Sequence, residues 1–177
     1  MIEIRTHGRG GMGAVTMMIL LAKSAGNDGK YVQAFGAYGP ERRGAPVKAF
    51  CRIDSSQIRI RSHVKNPDYV IVLDPSLLSL PEVFEGVKPE TKIIVNSEKG
   101  NLNVPNKSYF YDASSLALSI TGKDIVNTAM LGMFSKISEI VSLDSVLKAV
   151  EQNFPEKIVE PNKKLVKEAY NAVIKTF

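Results

Sequence analysis

The feature that most constrains the fold is a cluster of glycines close to the start of the chain. Gly8, Gly10 and Gly13 have the spacing G-x-G-x-x-G, in which glycine permits a sharp turn and a close approach of the backbone to a ligand. Residues 2–5 alternate between apolar and polar, which predicts a strand before the turn, and a helical apolar period begins at Ala14. Because such a helix directs its N–H groups and positive dipole end at the turn, the pattern predicts a phosphate-binding strand–turn–helix unit.

The strand that follows this helix argues against a dinucleotide ligand. Residues 31–35 are predicted to form a second strand, which would complete a β-α-β unit with a parallel pair of strands. A dinucleotide-binding unit normally has Asp or Glu at the end of this second strand, where it binds the ribose hydroxyls. Residues 34–37 are Ala-Phe-Gly-Ala, so NAD becomes a minor alternative.

A second glycine-rich loop is predicted at residues 36–46. It contains three glycines and two prolines, which exclude a helix or a central strand, and it carries Glu41, Arg42 and Arg43. If both loops follow parallel strands, both lie at the carboxyl edge of the sheet, where open α/β sheets bind their ligands. The loop is therefore either an anion- or partner-binding element that faces the first glycine turn, or a solvated surface turn.

The two loops together supply the candidate ligand-binding residues. These are Gly8, Arg9, Gly10, Gly11, Met12, Gly13, Tyr38, Gly39, Glu41, Arg42, Arg43 and Gly44. Residues 1–65 contain 11 Lys and Arg against 4 Asp and Glu, a net charge of +7, whereas the whole chain carries +5. A basic half around glycine turns suits a polyanionic small molecule or an acidic protein surface. Nucleic acid is not favoured, because no basic recognition helix or aromatic RNA-binding motif is present.

The remainder of the chain predicts one α/β domain over residues 1–177. Residues 47–53 and 57–61 alternate and predict a hairpin, which would make the sheet mixed. Further strands are predicted at 69–73, 92–96 and, at an edge, 109–111, and helices at 113–120, from 124, at 143–154 and from Pro161. The predicted fold class is an α/β three-layer sandwich with a mixed, mainly parallel sheet, a Rossmann-like start and a helical C-terminal third.

The sequence carries no pattern typical of covalent catalysis, so no catalytic residue is assigned. Cys51 is the only cysteine, whereas an iron–sulfur cluster needs about four, and two histidines make a zinc site improbable. Cys51 is interpreted as a packing residue, His63 as a surface residue, and Asp74 as either a ligand contact or a helix cap. No signal peptide or membrane-spanning stretch is found, and the cysteine content fits a cytoplasmic protein.

Residues 8–15 followed by residues 38–47 closely resemble the gamma subunit of 2-oxoacid:ferredoxin oxidoreductases. The resemblance extends to Pro67-Asp68, to Asn127 with residues 130–132, and to residues 154–162, and so covers nearly the whole chain. The ending Gly-Ala-Pro-Val at residues 44–47 looks most like the pyruvate enzyme, although the 2-ketoisovalerate enzyme shares this type of subunit. Met12 departs from the glutamine that is frequent at this position in the family.

The resemblance implies a subunit that is not catalytic by itself. Such complexes decarboxylate a 2-oxoacid oxidatively, reduce ferredoxin and form acyl-coenzyme A. Thiamine diphosphate and magnesium are then expected on the alpha and beta subunits, and [4Fe–4S] clusters on a ferredoxin-like delta subunit. In single-chain relatives the equivalent domain is implicated in coenzyme A engagement, so Arg9, Arg42 and Arg43 are hypothesised to pair with the phosphates of coenzyme A. A free-standing Rossmann-type nucleotide-binding module and a purely structural subunit are the alternatives.

Overall fold

The structure, a computed structural model, describes residues 1–37, 44–100, 102, 104–172 and 174–177. Within these residues the chain forms a seven-stranded sheet and five α-helices. The strands are β1 (Ile2–Arg9), β2 (Tyr31–Ala37), β3 (Pro46–Asp54), β4 (Tyr69–Val72), β5 (Lys92–Asn96), β6 (Ser108–Tyr111) and β7 (Lys175–Thr176). The helices are α1 (Ala14–Asn27), α2 (Ala113–Thr121), α3 (Asn127–Ser138), α4 (Leu143–Asn153) and α5 (Glu156–Asn171). None of the described helices is long and apolar enough to cross a bilayer.

The sheet is mixed and mainly parallel, as predicted. Its strand order is β2-β3-β1-β4-β5-β6-β7. The pairs β1–β4, β4–β5 and β5–β6 are parallel, whereas β3 pairs antiparallel with both β1 and β2, and β7 pairs antiparallel with β6. Five strands therefore run in one direction, and their carboxyl ends share one edge of the sheet.

Two predictions about strand pairing are wrong, for one reason. The strands β1 and β2 run in the same direction but are not a bonded pair, because β3 lies between them; Cys51 is in register with Ile4 of β1 and with Ala34 of β2. Since β3 is paired on both sides, it has no free edge for a hairpin partner. Residues 57–61 form no strand, and Ile60 is 44% exposed.

Three predicted boundaries also need correction. The strand β1 runs to Arg9, because its pairing with β3 continues through Gly8 and Arg9, opposite Val47 and Pro46. The strand β6 is not the edge of the sheet, since β7 pairs with it. Helix α5 begins at Glu156 and contains Pro161, which removes a single backbone donor.

The two faces of the sheet are covered differently. All five α-helices pack on one face and form a core with β1, β3, β4 and β5. Two 3₁₀ segments, Pro75–Ser79 and Pro81–Val83, and neighbouring loops cover β4, β5 and β6 on the other face. The sheet thus lies between two covering layers, in agreement with the predicted α/β class. Gly132 allows the close approach of α3 to α5, since a side chain there would collide with the backbone of Val166.

Candidate functional site

The first glycine turn connects β1 to α1 in a conformation that favours glycine. Gly11 and Gly13 have φ angles of 99° and 82°, in the left-handed region that side chains disfavour. Gly13 is the N-cap of α1, no side chain caps this helix, and its first turn has no acidic residue. The first-turn N–H groups have no intrahelical partner, so they are available to an acceptor such as a phosphate oxygen.

The structure brings the two glycine-rich loops together. The Gly10 N–H donates to the Ala45 carbonyl at 2.8 Å, and the Gly44 N–H donates to the Gly10 carbonyl at 3.0 Å. These two backbone hydrogen bonds therefore place the candidate residue Gly44 beside the candidates Gly8 to Gly13, at the carboxyl end of β1. The candidates Tyr38, Gly39, Glu41, Arg42 and Arg43 lie outside the described residues.

Arg9 is held by contacts within the chain. Its Nε atom donates to a carboxylate oxygen of Asp74, its Nη2 atom to the Ser76 hydroxyl at 2.7 Å, and its Nη1 atom to the Gly44 carbonyl at 3.1 Å. The guanidinium thus connects both glycine loops to the end of β4. Arg9 therefore holds the two loops and the end of β4 in place, and its charge is paired with the carboxylate of Asp74.

Asp74 acts as a cap and as the partner of Arg9. Its carboxylate accepts a hydrogen bond from the Ser76 N–H at 2.9 Å, at the start of the 3₁₀ segment Pro75–Ser79. Burial would raise the pKa of Asp74, but hydrogen bonds from Ser76 and Arg9 outweigh burial, so its pKa is lowered. The structure confirms the interpretation of Asp74 as a cap. Because Asp74 also lines the crevice at this edge, its contact with a ligand stays a prediction. The ion pair with Arg9 was not expected from the sequence.

A crevice opens at this edge of the sheet. One cavity, of about 420 Å³, is lined by Arg9, Gly10, Met12, Gly44, Leu73, Asp74, Pro75, Asn96, Ser114 and Asp124. A second, of about 430 Å³, is lined by Gly10, Gly11, Met12, Lys123, Asp124 and Ile125. The shared lining residues Gly10, Met12 and Asp124 make the two cavities adjacent. The glycine turn is therefore one wall of a larger crevice that includes the ends of β4 and β5.

Asn96 fixes the opposite wall of the crevice. Its Nδ2 atom donates to the Leu73 carbonyl at 2.9 Å and to the Ser114 hydroxyl at 3.0 Å. Its Oδ1 atom accepts from the N–H groups of Ala113 at 2.9 Å and Ser114 at 3.2 Å. One buried amide thereby joins the ends of β4 and β5 to the start of α2.

Sequence reasoning missed Asn96, Ser114, Lys123 and Asp124 as lining residues. A signal existed for Asn96, which ends a buried parallel strand at the ligand-binding edge, as Asp74 follows the neighbouring strand. No comparable signal marks Lys123 and Asp124, which lie in the connection between α2 and α3. The charged residues lining the described crevice are Arg9 and Lys123 against Asp74 and Asp124, so these charges are balanced.

The fold and the crevice define a class of protein: an α/β domain with a glycine-turn binding edge. A family model described as pyruvate ferredoxin/flavodoxin oxidoreductase matches residues 3–172. The chain belongs to this family, and it is one subunit of such an oxidoreductase, as the resemblance implied. This assignment replaces the alternative of a free-standing nucleotide-binding module.

Relatives with the same extent are known from archaea. The chain is 49% identical over 177 residues to pyruvate synthase subunit PorC of Methanocaldococcus jannaschii, covering 100% of this chain and 99% of the relative. It is 48% identical over 181 residues to the common gamma subunit of the pyruvate/ketoisovalerate oxidoreductases of Thermococcus kodakarensis, covering 98% of each chain.

Solved structures share the fold. The pyruvate oxidoreductase subunit PORC of Thermotoga maritima superimposes with a TM-score of 0.86 and 36% identity, covering 99% of this chain and 97% of that one. A 2-oxoglutarate:ferredoxin oxidoreductase of Magnetococcus marinus, solved with coenzyme A and succinyl-CoA bound, gives a TM-score of 0.77 at 17% identity. It covers 95% of this chain and 30% of that chain, and at this identity it shows a common fold only.

Proposed function

We propose that this gamma subunit serves a cytoplasmic pyruvate:ferredoxin oxidoreductase and that its glycine-lined crevice contacts coenzyme A. In this assignment the alpha and beta subunits hold thiamine diphosphate and magnesium, a ferredoxin-like delta subunit holds [4Fe–4S] clusters, and ferredoxin accepts the electrons. The lone thiol does not suit a cluster ligand, because Cys51 is fully buried and burial raises its pKa to about 12. The role that we propose for this chain is to bind and position coenzyme A.

The observation that carries the proposal is the joined pair of glycine loops beside the uncapped start of α1. Gly10 and Gly44 bring backbone from both loops to one side of a crevice of about 420 Å³. Backbone N–H groups at a helix start donate to phosphate oxygens, and glycine lets a phosphate approach them closely. The additional positive charge would come from Arg42 and Arg43, since Arg9 is paired with Asp74.

We further propose that this subunit does not select the 2-oxoacid. The similarity is 49% to a pyruvate synthase subunit and 48% to a gamma subunit common to pyruvate and ketoisovalerate oxidoreductases. A subunit that serves both enzymes leaves the choice of 2-oxoacid to other chains. Pyruvate is the substrate we favour for the complex, because Gly-Ala-Pro-Val at residues 44–47 resembles the pyruvate enzyme.

The coenzyme A assignment is tested with a double variant, Arg42→Ala/Arg43→Ala, in the assembled complex. If the loop binds phosphates, the KM for coenzyme A rises about tenfold or more while kcat stays the same, since charge-assisted contacts are removed from binding alone. The matched control is Arg59→Ala/Arg61→Ala, which removes two exposed arginines from the same basic half of the chain. Equal KM values in both double variants, with assembly intact, would contradict coenzyme A binding by this loop.

A purely structural role is the second candidate, and the balanced charges of the described crevice favour it. Arg9 holds Asp74, Ser76 and Gly44 together, which is a framework contact. Under this alternative the loops pack against a partner subunit, and Arg42→Ala/Arg43→Ala lowers recovery of the complex without changing the KM of the complex that remains.

Purification of the tagged chain from its native cell tests whether the complex exists. Larger chains with thiamine diphosphate and iron are expected to co-purify, and a monomer alone would contradict the assignment.

A further inference from the structure

Two buried nitrogen atoms without hydrogen-bond partners lie on the same face of β1. Alternation along β1 directs Ile4 and Thr6 towards the helices, and Arg5 and His7 towards the opposite face. Arg5 and His7 are each 3% exposed. Within the part of the chain that the structure describes, Arg5 Nε and His7 Nε2 are the buried side-chain nitrogens that make no hydrogen bond. Such atoms are costly to bury, and of the two residues, His7 lines a cavity that could hold an acceptor for its nitrogen.

His7 lines a cavity of about 170 Å³ on this face. The polar lining groups are His7, Lys48 and Glu82, and the apolar walls include Pro46, Leu77 and Leu80. Lys48 is the direct neighbour of His7 across the β1–β3 pair. The cavity is therefore small and has a mixed polar and apolar lining, with an imidazole and an ammonium on adjacent strands and a carboxylate from Glu82.

The charges around His7 favour an anion with a single charge. Among the described residues, Arg5 from β1 and Lys48 from β3 are the cations whose charges act on His7. Arg5 Nη2 donates to backbone carbonyls, of Val83 at 3.0 Å and Glu85 at 2.7 Å, and Lys48 Nζ contacts the Glu82 carboxylate at 3.2 Å. Because an ammonium has three donors, Lys48 keeps capacity for a second acceptor.

The buried, cationic environment of His7 keeps its imidazole neutral. Burial, then the charges of Arg5 and Lys48, lower the pKa of His7 to about 3, so its imidazole is neutral near pH 7. A neutral imidazole can carry its proton on Nε2 and donate to an acceptor. In the part of the chain that the structure describes, the nearby carboxylates are Glu82, 44% exposed at its side chain, and Glu85 beside Arg5.

We propose that this cavity binds a short-chain monocarboxylate, which accepts hydrogen bonds from His7 Nε2 and Lys48 Nζ. Its alkyl part would contact Leu77 and Leu80. Glu82 on the wall disfavours a doubly charged ligand such as phosphate. The same chemistry has two possible sources, a free carboxylic acid or the side chain of Asp or Glu from a partner subunit. This site is additional to the glycine-lined crevice and does not depend on coenzyme A binding there.

The free-acid source is tested by proton NMR on the full-length chain, which is simple because His7 and His63 are its only histidines. Titration with acetate at pH 7 is expected to shift the imidazole signals of His7 more than those of the exposed His63. The substitution Lys48→Met should weaken acetate binding about tenfold or more. The matched control is Lys163→Met, which removes another lysine paired with a glutamate, at 3.1 Å from Glu151.

The partner source is tested by recovery of the complex. If a partner supplies the carboxylate, acetate does not shift His7, Lys48→Met lowers co-purification of the other subunits, and Lys48→Arg and Lys163→Met do not. The variant His7→Gln, which keeps a donor near Nε2, should lose less than His7→Leu. The proposal is overturned if neither acetate nor these variants have an effect, or if inorganic phosphate binds His7 more tightly than acetate does.

Discussion

Gly13 lies directly against the buried side chain of Asn127. A methyl group added to Gly13 would lie 2.5 Å from Nδ2 and 2.9 Å from Cγ of Asn127. Gly13 is the N-cap of α1, and Asn127 is the first residue of α3 and only 4% exposed. The last glycine of the motif therefore has two functions: it adopts the left-handed turn, and it lets the first helix approach the third.

We expect Gly13→Ala to destabilise the chain by about 3 kcal/mol. A left-handed alanine costs about 1–2 kcal/mol, and displacement of the buried Asn127 adds to this cost. The change is measured as the free energy of unfolding in urea. The loss should exceed the backbone cost alone, since part of it arises from the contact between two helices.

The control for this prediction is Gly29→Ala. Gly29 has a φ of 77°, close to the 82° of Gly13, but nothing lies within 4 Å of an added methyl group. The control should cost about 1 kcal/mol, the backbone contribution alone. Equal losses in the two variants would show that the contact with Asn127 contributes nothing.

Asn96→Ala is expected to lower the free energy of unfolding by about 3 kcal/mol, because one buried amide serves four hydrogen bonds. Asp112→Ala is the comparison at the same end of α2. Asp112 makes one exposed hydrogen bond, to the Ser115 N–H at 2.9 Å, so its removal should cost about 1 kcal/mol. Urea unfolding of both variants decides the point, and an Asn96 effect no larger than that of Asp112 would be inconsistent with this account.

Cys51 is expected to resist thiol reagents in the folded chain. Cys51 is on β3, its side chain is fully buried in the core between the sheet and the helices, and burial raises its pKa to about 12. Since the thiolate is the reactive form, labelling by a disulfide reagent at pH 8 should be negligible in buffer and complete in denaturing urea. Stoichiometric labelling of the native chain would refute the buried position of Cys51.

Local periodicity predicted most elements of this fold, because an element's own residues encode it. The continuous apolar residues 69–73 and 92–96 marked the buried strands β4 and β5, and the glycine spacing marked the turn before α1. Strand order is set by contacts between distant segments. Alternation at residues 57–61 imitated a strand, but no free edge was available to pair with it.

In the site, as in the fold, the sequence predicted local conformation but not the contacts between distant segments. The left-handed backbone conformation of Gly13 is predicted by the glycine motif. The ion pair between Arg9 and Asp74 is not, because it joins the ends of two strands that are 65 residues apart in sequence. Nothing in the local pattern distinguishes an arginine that binds a ligand from one that holds a loop. Arg42 and Arg43 lie outside the described residues, so their role stays a prediction.

The stability of the chain is expected to fall between pH 7 and pH 5.5 because of His7. The pKa of His7 is lowered from 6.5 to about 3 in the folded chain, mainly by burial. Between these values the unfolded chain binds one more proton than the folded chain, so acid favours unfolding by about 1.4 kcal/mol per pH unit below 6.5. Urea unfolding in buffers free of carboxylates measures the slope. His7→Gln should abolish this slope; an unchanged slope in His7→Gln would assign the proton to another group.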